Sequence, residues 1–432
     1  MKEIFFALAL AAFAAIPAGA KVTSDKPNQA LDELQKAAQV EELPAAAAEV
    51  AAEPVADRFW IKVQASSRED RTAIATAGMA IEEEGSGQVA GTAHIKTIEK
   101  LQALGFKVTY RVSLQKLLKD FPSQDKVYHN YDRMKAALDA LVSAAPDMVS
   151  LFSIGKGWQG RDIWAVRFNN TESGTAPSKK PGAFIVGDHH AREHLSVEMP
   201  IKIAEYLAAH RADPAVRKLL ETRDIYIVPM LNPDGAEYDI STGRYQMHRK
   251  NMRINPDKEI GVDLNRNCDS FFGGAGSSGD TYSDVYHGPS AFSEPETMAL
   301  KNFLDARTNI KTINSFHSYS GLIMYPWGGK EGAVENAADL KAFQAMAGAM
   351  AKLAGLKAQQ SNVMYVATGD CMDWAYAAHH MYAFTTELNG GSFYPGAAEI
   401  DKETPGEIKA ALYMIEYSDD PRRAAANLTA TN

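Results

Sequence analysis

Gly182-Ala-Phe-Ile-Val-Gly-Asp-His-His-Ala-Arg-Glu-His-Leu-Ser196 is the stretch that decides the fold class of this chain. Its first residues read as a strand with Gly187 at its end, and a polar loop rich in histidine follows. Helical periodicity then begins near Leu195. Strand, polar loop and helix in succession form the repeating unit of an α/β sheet, whose sites lie at the C-terminal ends of its strands.

The same alternation extends on both sides. Strands are expected at 148–154, 162–168, 182–186, 223–228, 312–317 and 383–387. Helices are expected at 131–145, 196–210, 293–306, 340–354, 371–378 and 405–417. This order predicts a mixed, mostly parallel sheet with helices on both faces, over residues 127–425, with 426–432 as a tail. Upstream, residues 56–114 read differently. A strand at 59–65 precedes a Ser-capped helix at 66–78, two short strands at 80–83 and 88–92, a helix ended by Gly105, and a strand at 106–113. The β-α-β-β-α-β order predicts a small ferredoxin-like α+β domain. Residues 115–126, which hold Lys116, Lys119 and Lys126, read as a connector suited to proteolytic nicking. Residues 21–55, rich in Ala, Glu, Gln, Lys and Pro, read as a flexible leader.

At the N-terminus, Lys2 precedes an apolar run from Ile4 to Ile16, and Ala18-Gly-Ala20 follows as a small-residue cleavage site. The run is too short to span a bilayer. Residues 1–20 therefore read as a secretory signal peptide, and the mature protein as extracellular or periplasmic. The net charge of −9 on 432 residues, with no basic stripe, gives no reason to expect nucleic acid as a partner. Cys268 and Cys371 are the only cysteines, so the chain is no disulfide scaffold. A single bridge between them and two buried small side chains are both open readings.

His190 and Glu193 offer an imidazole nitrogen and a carboxylate three residues apart, and zinc accepts both in a tetrahedral shell. A third protein ligand with one open position makes such a site catalytic rather than structural. His190, Glu193 and His194 also match the His-x-x-Glu-His pattern in which both histidines bind metal and the Glu is the base. That pattern needs one helix to carry all three residues, whereas here a strand leads into them.

Further motifs follow in order: Asn232-Pro-Asp-Gly235, Arg249-Lys-Asn251, Gly261-Val-Asp-Leu-Asn-Arg-Asn267, Ser315-Phe-His-Ser-Tyr-Ser320 and Thr385-Thr-Glu-Leu388. With His190-Ala-Arg-Glu193 they resemble the zinc carboxypeptidase family of the pancreatic A and B type, over roughly residues 125–425. The resemblance implies one catalytic zinc held by His190, Glu193 and His317, with Asp263 fixing the tautomer of His190. It implies Glu387 as the general base toward the attacking water and Arg249 as the group that steadies the oxyanion. Substrate binding falls to Arg192, Asn265, Arg266, Ser318, Tyr319 and Tyr365, with Arg266 taking the free C-terminal carboxylate by a two-pronged hydrogen bond. Residues 56–114 correspond to the family's prosegment, an intramolecular inhibitor. The implied partners are peptides or proteins with a free C-terminus, acted on by a monomer.

Specificity is expected from 365–374. Met372 stands where the family is aliphatic in enzymes preferring apolar residues and acidic in those preferring Lys or Arg, so it predicts apolar or aromatic preference. Asp370 has two readings. It is either a counter-charge giving measurable activity on Lys and Arg, or the cap of the helix that begins at Cys371. Two further functions stay in view: a peptidase acting on cell-wall peptides, and an inactive carboxypeptidase fold that only binds partners. The second expects a lost ligand or base, and every expected group is present.

Overall fold

The computed structural model describes residues 58–85, 87–113, 123–241 and 245–430. The expected signal peptide, the leader and the part of the connector at 115–122 lie outside them, as do the last two residues of the tail.

The first unit follows the sequence pattern closely. Strand β1 (Arg58–Gln64) leads to helix α1 (Arg68–Ala77), then β2 (Ala80–Gly85), β3 (Gln88–His94), α2 (Ile95–Ala103) and β4 (Val108–Ser113). The sheet order is β2-β3-β1-β4, and all three pairings are antiparallel. Ser67 starts α1 with a reciprocal cap: its side chain accepts from the Asp70 N–H while the Asp70 carboxylate accepts from the Ser67 N–H. Gly78 ends the helix in the left-handed conformation at φ 118°.

The second unit is built on an eight-stranded sheet. Its strands are β5 (Val149–Lys156), β6 (Asp162–Phe168), β7 (Gly182–Val186), β8 (Asp224–Val228), β9 (Ile310–Ser318), β10 (Leu322–Tyr325), β11 (Lys357–Gln360) and β12 (Tyr382–Leu388). They lie in the order β11-β10-β12-β9-β7-β8-β6-β5, and four of the seven pairings are parallel. Because side chains alternate across a strand, β7 and β8 feed two cores. Ala183, Ile185, Ile225 and Ile227 join helices α3 (Tyr131–Ala144), α4 (Leu195–Ala209), α8 (Ala337–Ala354) and α10 (Ala398–Glu416) on one face. Phe184, Val186, Tyr226 and Val228 join α7 (Pro295–Asp305) and α9 (Cys371–His379) on the other.

Some elements depart from expectation. The helix expected at 405–417 begins at Ala398, so Pro405 lies inside it rather than at its start. Glu399 and Asp401 occupy the true first turn, where carboxylates suit the helix dipole. β10 and β11 were not expected, nor were helices α5 (Pro214–Thr222), α6 (Pro233–Ile240) and α11 (Arg423–Ala430). None of the described helices is long and apolar enough to cross a membrane.

Candidate functional site

The C-terminal ends of β7, β9 and β12 open onto one cavity. His317 and Glu387 sit opposite each other in the parallel β9–β12 register, so adjacent strands deliver them side by side. His190 and Glu193 arrive on the tight loop between β7 and α4. Gly187 is required where that loop leaves the strand: a Cβ there would stand 2.1 Å from the Ser196 carbonyl oxygen.

In this loop His190 Nδ1 lies 2.7 Å from Glu193 Oε1 and 3.1 Å from His317 Nδ1. His317 Nδ1 is 3.1 Å from Glu193 Oε2. The far nitrogen of His190, Nε2, donates to Asp263 Oδ1 at 3.2 Å, which leaves Nδ1 as the lone-pair side facing the group. Three ligand atoms thus lie within 4.8 Å of one another, all buried. Two imidazole nitrogens and a carboxylate aimed at one point form the donor set of a catalytic zinc site, and the residues fit that ion. His194 takes no part, because its Nε2 is held 2.9 Å from Asp239 Oδ2. The reading with His190 and His194 as paired ligands is thereby excluded.

Charge around the group is tightly balanced. Burial alone would raise the Glu193 carboxyl, but His190 and His317 outweigh it and hold it below the usual carboxylate range. Burial likewise opposes ionisation of Asp263, yet Arg249 and His190 keep it well below its ordinary value. Arg249 grips Asp263 with Nε and Nη2, each 3.1 Å from Oδ2. Glu387 behaves oppositely. Burial, then the charges of Glu193 and Glu82, hold its carboxyl well above the usual range, against the pull of Arg249 and Arg266.

Asn265, Arg266, Tyr319, Tyr365 and Asp370 line the same cavity. Arg266 is fixed by Nε to the Gly276 carbonyl at 3.1 Å and by Nη1 to the Asn265 carbonyl at 2.8 Å, and its Nη2 donates to the Tyr365 hydroxyl at 3.3 Å. Three expected residues lie elsewhere. Met372 packs into the apolar cluster with Cys268, Phe292 and Trp374, because the turn of α9 that follows Asp370 carries it inward. Met324, Gly328, Ala367 and Thr385 line the cavity, whereas Met372 does not. Ser318 is buried, and its backbone N–H donates to Glu193 Oε2 at 3.1 Å. Arg192 is buried and does not line the cavity, but it donates to Thr92 Oγ1 at 3.0 Å and to Glu82, which does. Cys268 and Cys371 form a disulfide spanning 103 residues of sequence.

The sequence implied an inhibitory first unit but named none of the residues it brings to the cavity. Ile81 and Glu82 of β2 line the cavity, and Glu82 pairs with Arg192 and stands 3.7 Å from Arg249. Next to it, Glu83 accepts from the Tyr319 hydroxyl at 2.8 Å. Burial raises Glu83 to about 6, partly offset by that hydrogen bond. The run Glu82-Glu-Glu84 in a short strand was the available signal, but nothing in it tells that two of its acids face arginine and tyrosine rather than water.

The zinc carboxypeptidase family profile matches residues 134–409. A zinc carboxypeptidase of Saccharothrix mutabilis subsp. capreolus is 31% identical over 391 residues, covering 84% of this chain and 89% of that protein. Human carboxypeptidase A1 is 35% identical over 273 residues, covering 62% of this chain and 64% of its own length. Among solved structures, carboxypeptidase A from Helicoverpa armigera superposes with a TM-score of 0.69 at 22% identity, over 87% of this chain and 99% of that one, a likeness of fold.

Proposed function

Because this chain belongs to the zinc carboxypeptidase family and is a zinc metallocarboxypeptidase, we propose that it removes single apolar or aromatic residues from the C-termini of peptides, and that residues 58–113 hold it inactive until they are cut away. The observation that carries this reading is one cavity containing the His190, Glu193 and His317 donor set, Glu387, and the arginines Arg249 and Arg266.

His190, Glu193 and His317 would hold the ion, which supplies Lewis acidity that polarises the scissile carbonyl and acidifies water. Glu387 takes the proton from the attacking water and returns it to the leaving amine. In the intact chain, burial, then the charges of Glu193 and Glu82, hold its carboxyl well above the usual range, and departure of the first unit removes the Glu82 charge. Arg249, anchored on Asp263, keeps its positive charge and faces the negative charge that develops on the carbonyl oxygen. Arg266 and Asn265 grip the terminal carboxylate, and Tyr365 covers it. Arg192 assists from the metal loop. Met324 and Ala367 give the cavity lining an apolar part, which supports preference for apolar side chains over Lys or Arg.

Inhibition has two supports. The Glu82 carboxylate enters the cavity, where it pairs with Arg192 of the metal loop and stands 3.7 Å from Arg249, the group assigned to the oxyanion. In addition, α1 clamps the segment that carries Tyr365: Arg71 Nε donates to the Met364 carbonyl at 2.6 Å, and Thr72 Oγ1 accepts from the Val366 N–H at 3.1 Å. Export through the apolar N-terminal segment fits an enzyme made as a precursor. The test is release of amino acids from N-blocked dipeptides by the trimmed enzyme. Free-acid substrates should be cleaved, C-terminal amides spared, and a chelator should stop the reaction. Equal cleavage of amides, or full activity after metal removal, refutes the reading.

A further inference from the structure

Asp370 lines the cavity, yet its carboxylate is already engaged on three sides. Oδ1 accepts the N–H groups of Met372 at 2.8 Å and Asp373 at 2.9 Å, capping α9. Oδ2 accepts from Asn265 Nδ2 at 3.0 Å. The other end of the same amide, Asn265 Oδ1, accepts the Cys371 N–H at 3.1 Å. This pairing fixes which way the amide points. Turning it over would set its oxygen against a carboxylate and its NH₂ against an N–H, losing both bonds and making two repulsive contacts. An amide nitrogen carries two hydrogens, and only one is taken by Asp370.

The two segments that make this clasp are also joined elsewhere. The Cys268 N–H donates to the Gly369 carbonyl at 3.0 Å, and the disulfide ties Cys268 to Cys371. At Gly369, with φ 79°, a Cβ would stand 2.0 Å from the Arg266 carbonyl oxygen, so only glycine permits the approach. Residues 264–268, which carry the carboxylate grip, and 369–371, which open the specificity wall, therefore behave as one block.

We propose that Asp370 is a positioning residue for the terminal-carboxylate anchor: it orients Asn265 so that its second N–H serves the substrate carboxylate, and it is not a counter-charge for basic side chains. The proposal rests on the carboxypeptidase reading above. It makes the same demand of every substrate with a free C-terminus, whatever its last side chain.

The deciding variant is Asp370→Ser, whose hydroxyl keeps a helix cap but is too short to reach Asn265. KM for N-blocked dipeptides ending in Leu and in Lys should rise together by about 10-fold, the loss of one charge-assisted hydrogen bond, with kcat changed less than about two-fold. The inhibition constant of 3-phenylpropanoate, an apolar monocarboxylate, should rise in parallel. Asn265→Ala should give a similar rise, and the double variant should be no worse than either single one. Selective loss of activity on the Lys substrate, with KM for Leu unchanged, overturns the proposal in favour of a counter-charge. An unchanged inhibition constant, or additive effects of the two substitutions, overturns it as well. If wild-type enzyme cleaves free acids and amides alike, the underlying reading fails. If it discriminates and Asp370→Ser still behaves as wild type, only the positioning role fails.

Discussion

The two sheets of this molecule cover their faces in different ways. The eight-stranded sheet is clad on both sides by its own helices, with a separate apolar cluster on each face. The four-stranded sheet has helices on one side only, where Ile61, Val63, Ile74, Val89, Ile98 and Leu101 form a single cluster. Its other side, with Trp60 and Ala90, packs on Tyr319 and Phe393 of the larger unit. Strand β1 shows the division residue by residue: Ile61 and Val63 face inward, while Trp60 faces the neighbour. One unit completes its own core and supports the chemistry. The other owns half a core and takes the remainder from the surface it covers, so its docking is built into its strand pattern.

This contrast can be broken at several points. The largest effect belongs to the chemistry. Glu387→Gln should lower kcat by about 10³-fold while leaving KM close to wild type, because only proton transfer is lost. Steady-state kinetics on the trimmed enzyme read this directly, and retention of most of kcat would reassign the base. A smaller effect belongs to docking. Trp60→Ala removes a large buried ring from the shared face, at a cost of about 3 kcal/mol or more, and should raise the basal activity of the uncut chain. Unchanged basal activity would mean that the polar contacts alone hold the two units together.

The smallest effect is a pH dependence. Glu83 is raised to about 6 in the docked state, above its value of 4.5 when free, so docking binds a proton. The docked state is therefore fully favoured below pH 4.5 and weakens as pH rises through 6. Inhibition of the trimmed enzyme by the released segment should weaken by about twentyfold between pH 4 and pH 7, after normalising to the enzyme alone. Glu83→Gln should flatten the profile, and an equally steep profile in that variant would point to another group.

How far these features were legible in the sequence differs between the two units. In the smaller one, alternation in the first and last strands and helix caps such as Ser67 mark the elements, because each is defined by its own residues. In the larger one, the donor set and Asp263 meet where the motif resemblance implied, His317 at a strand end and the others on loops. What escaped depends on neighbours. Lys357-Ala-Gln-Gln360 is a polar edge strand made by pairing with β10, not by its own pattern. Pro405 resembles a helix start but lies within α10. Met372 and Asp370 are two positions apart, yet the first turn of α9 sends one into the core and keeps the other at the cavity. Glu82 was unreadable for the same reason, because its role depends on a surface more than a hundred residues away in sequence.

The central claim, that one unit performs catalysis and the other blocks it through a carboxylate laid on the active-site arginines, has a direct test. Initial rates on an N-blocked dipeptide with a free C-terminal Leu should be compared for the intact chain, the chain nicked between residues 113 and 123, and the intact Glu82→Gln variant. The intact chain should be nearly inactive, nicking should raise the rate by at least about a hundredfold, and Glu82→Gln should recover part of that gain without any cut. An intact chain already as active as the nicked one would contradict the account.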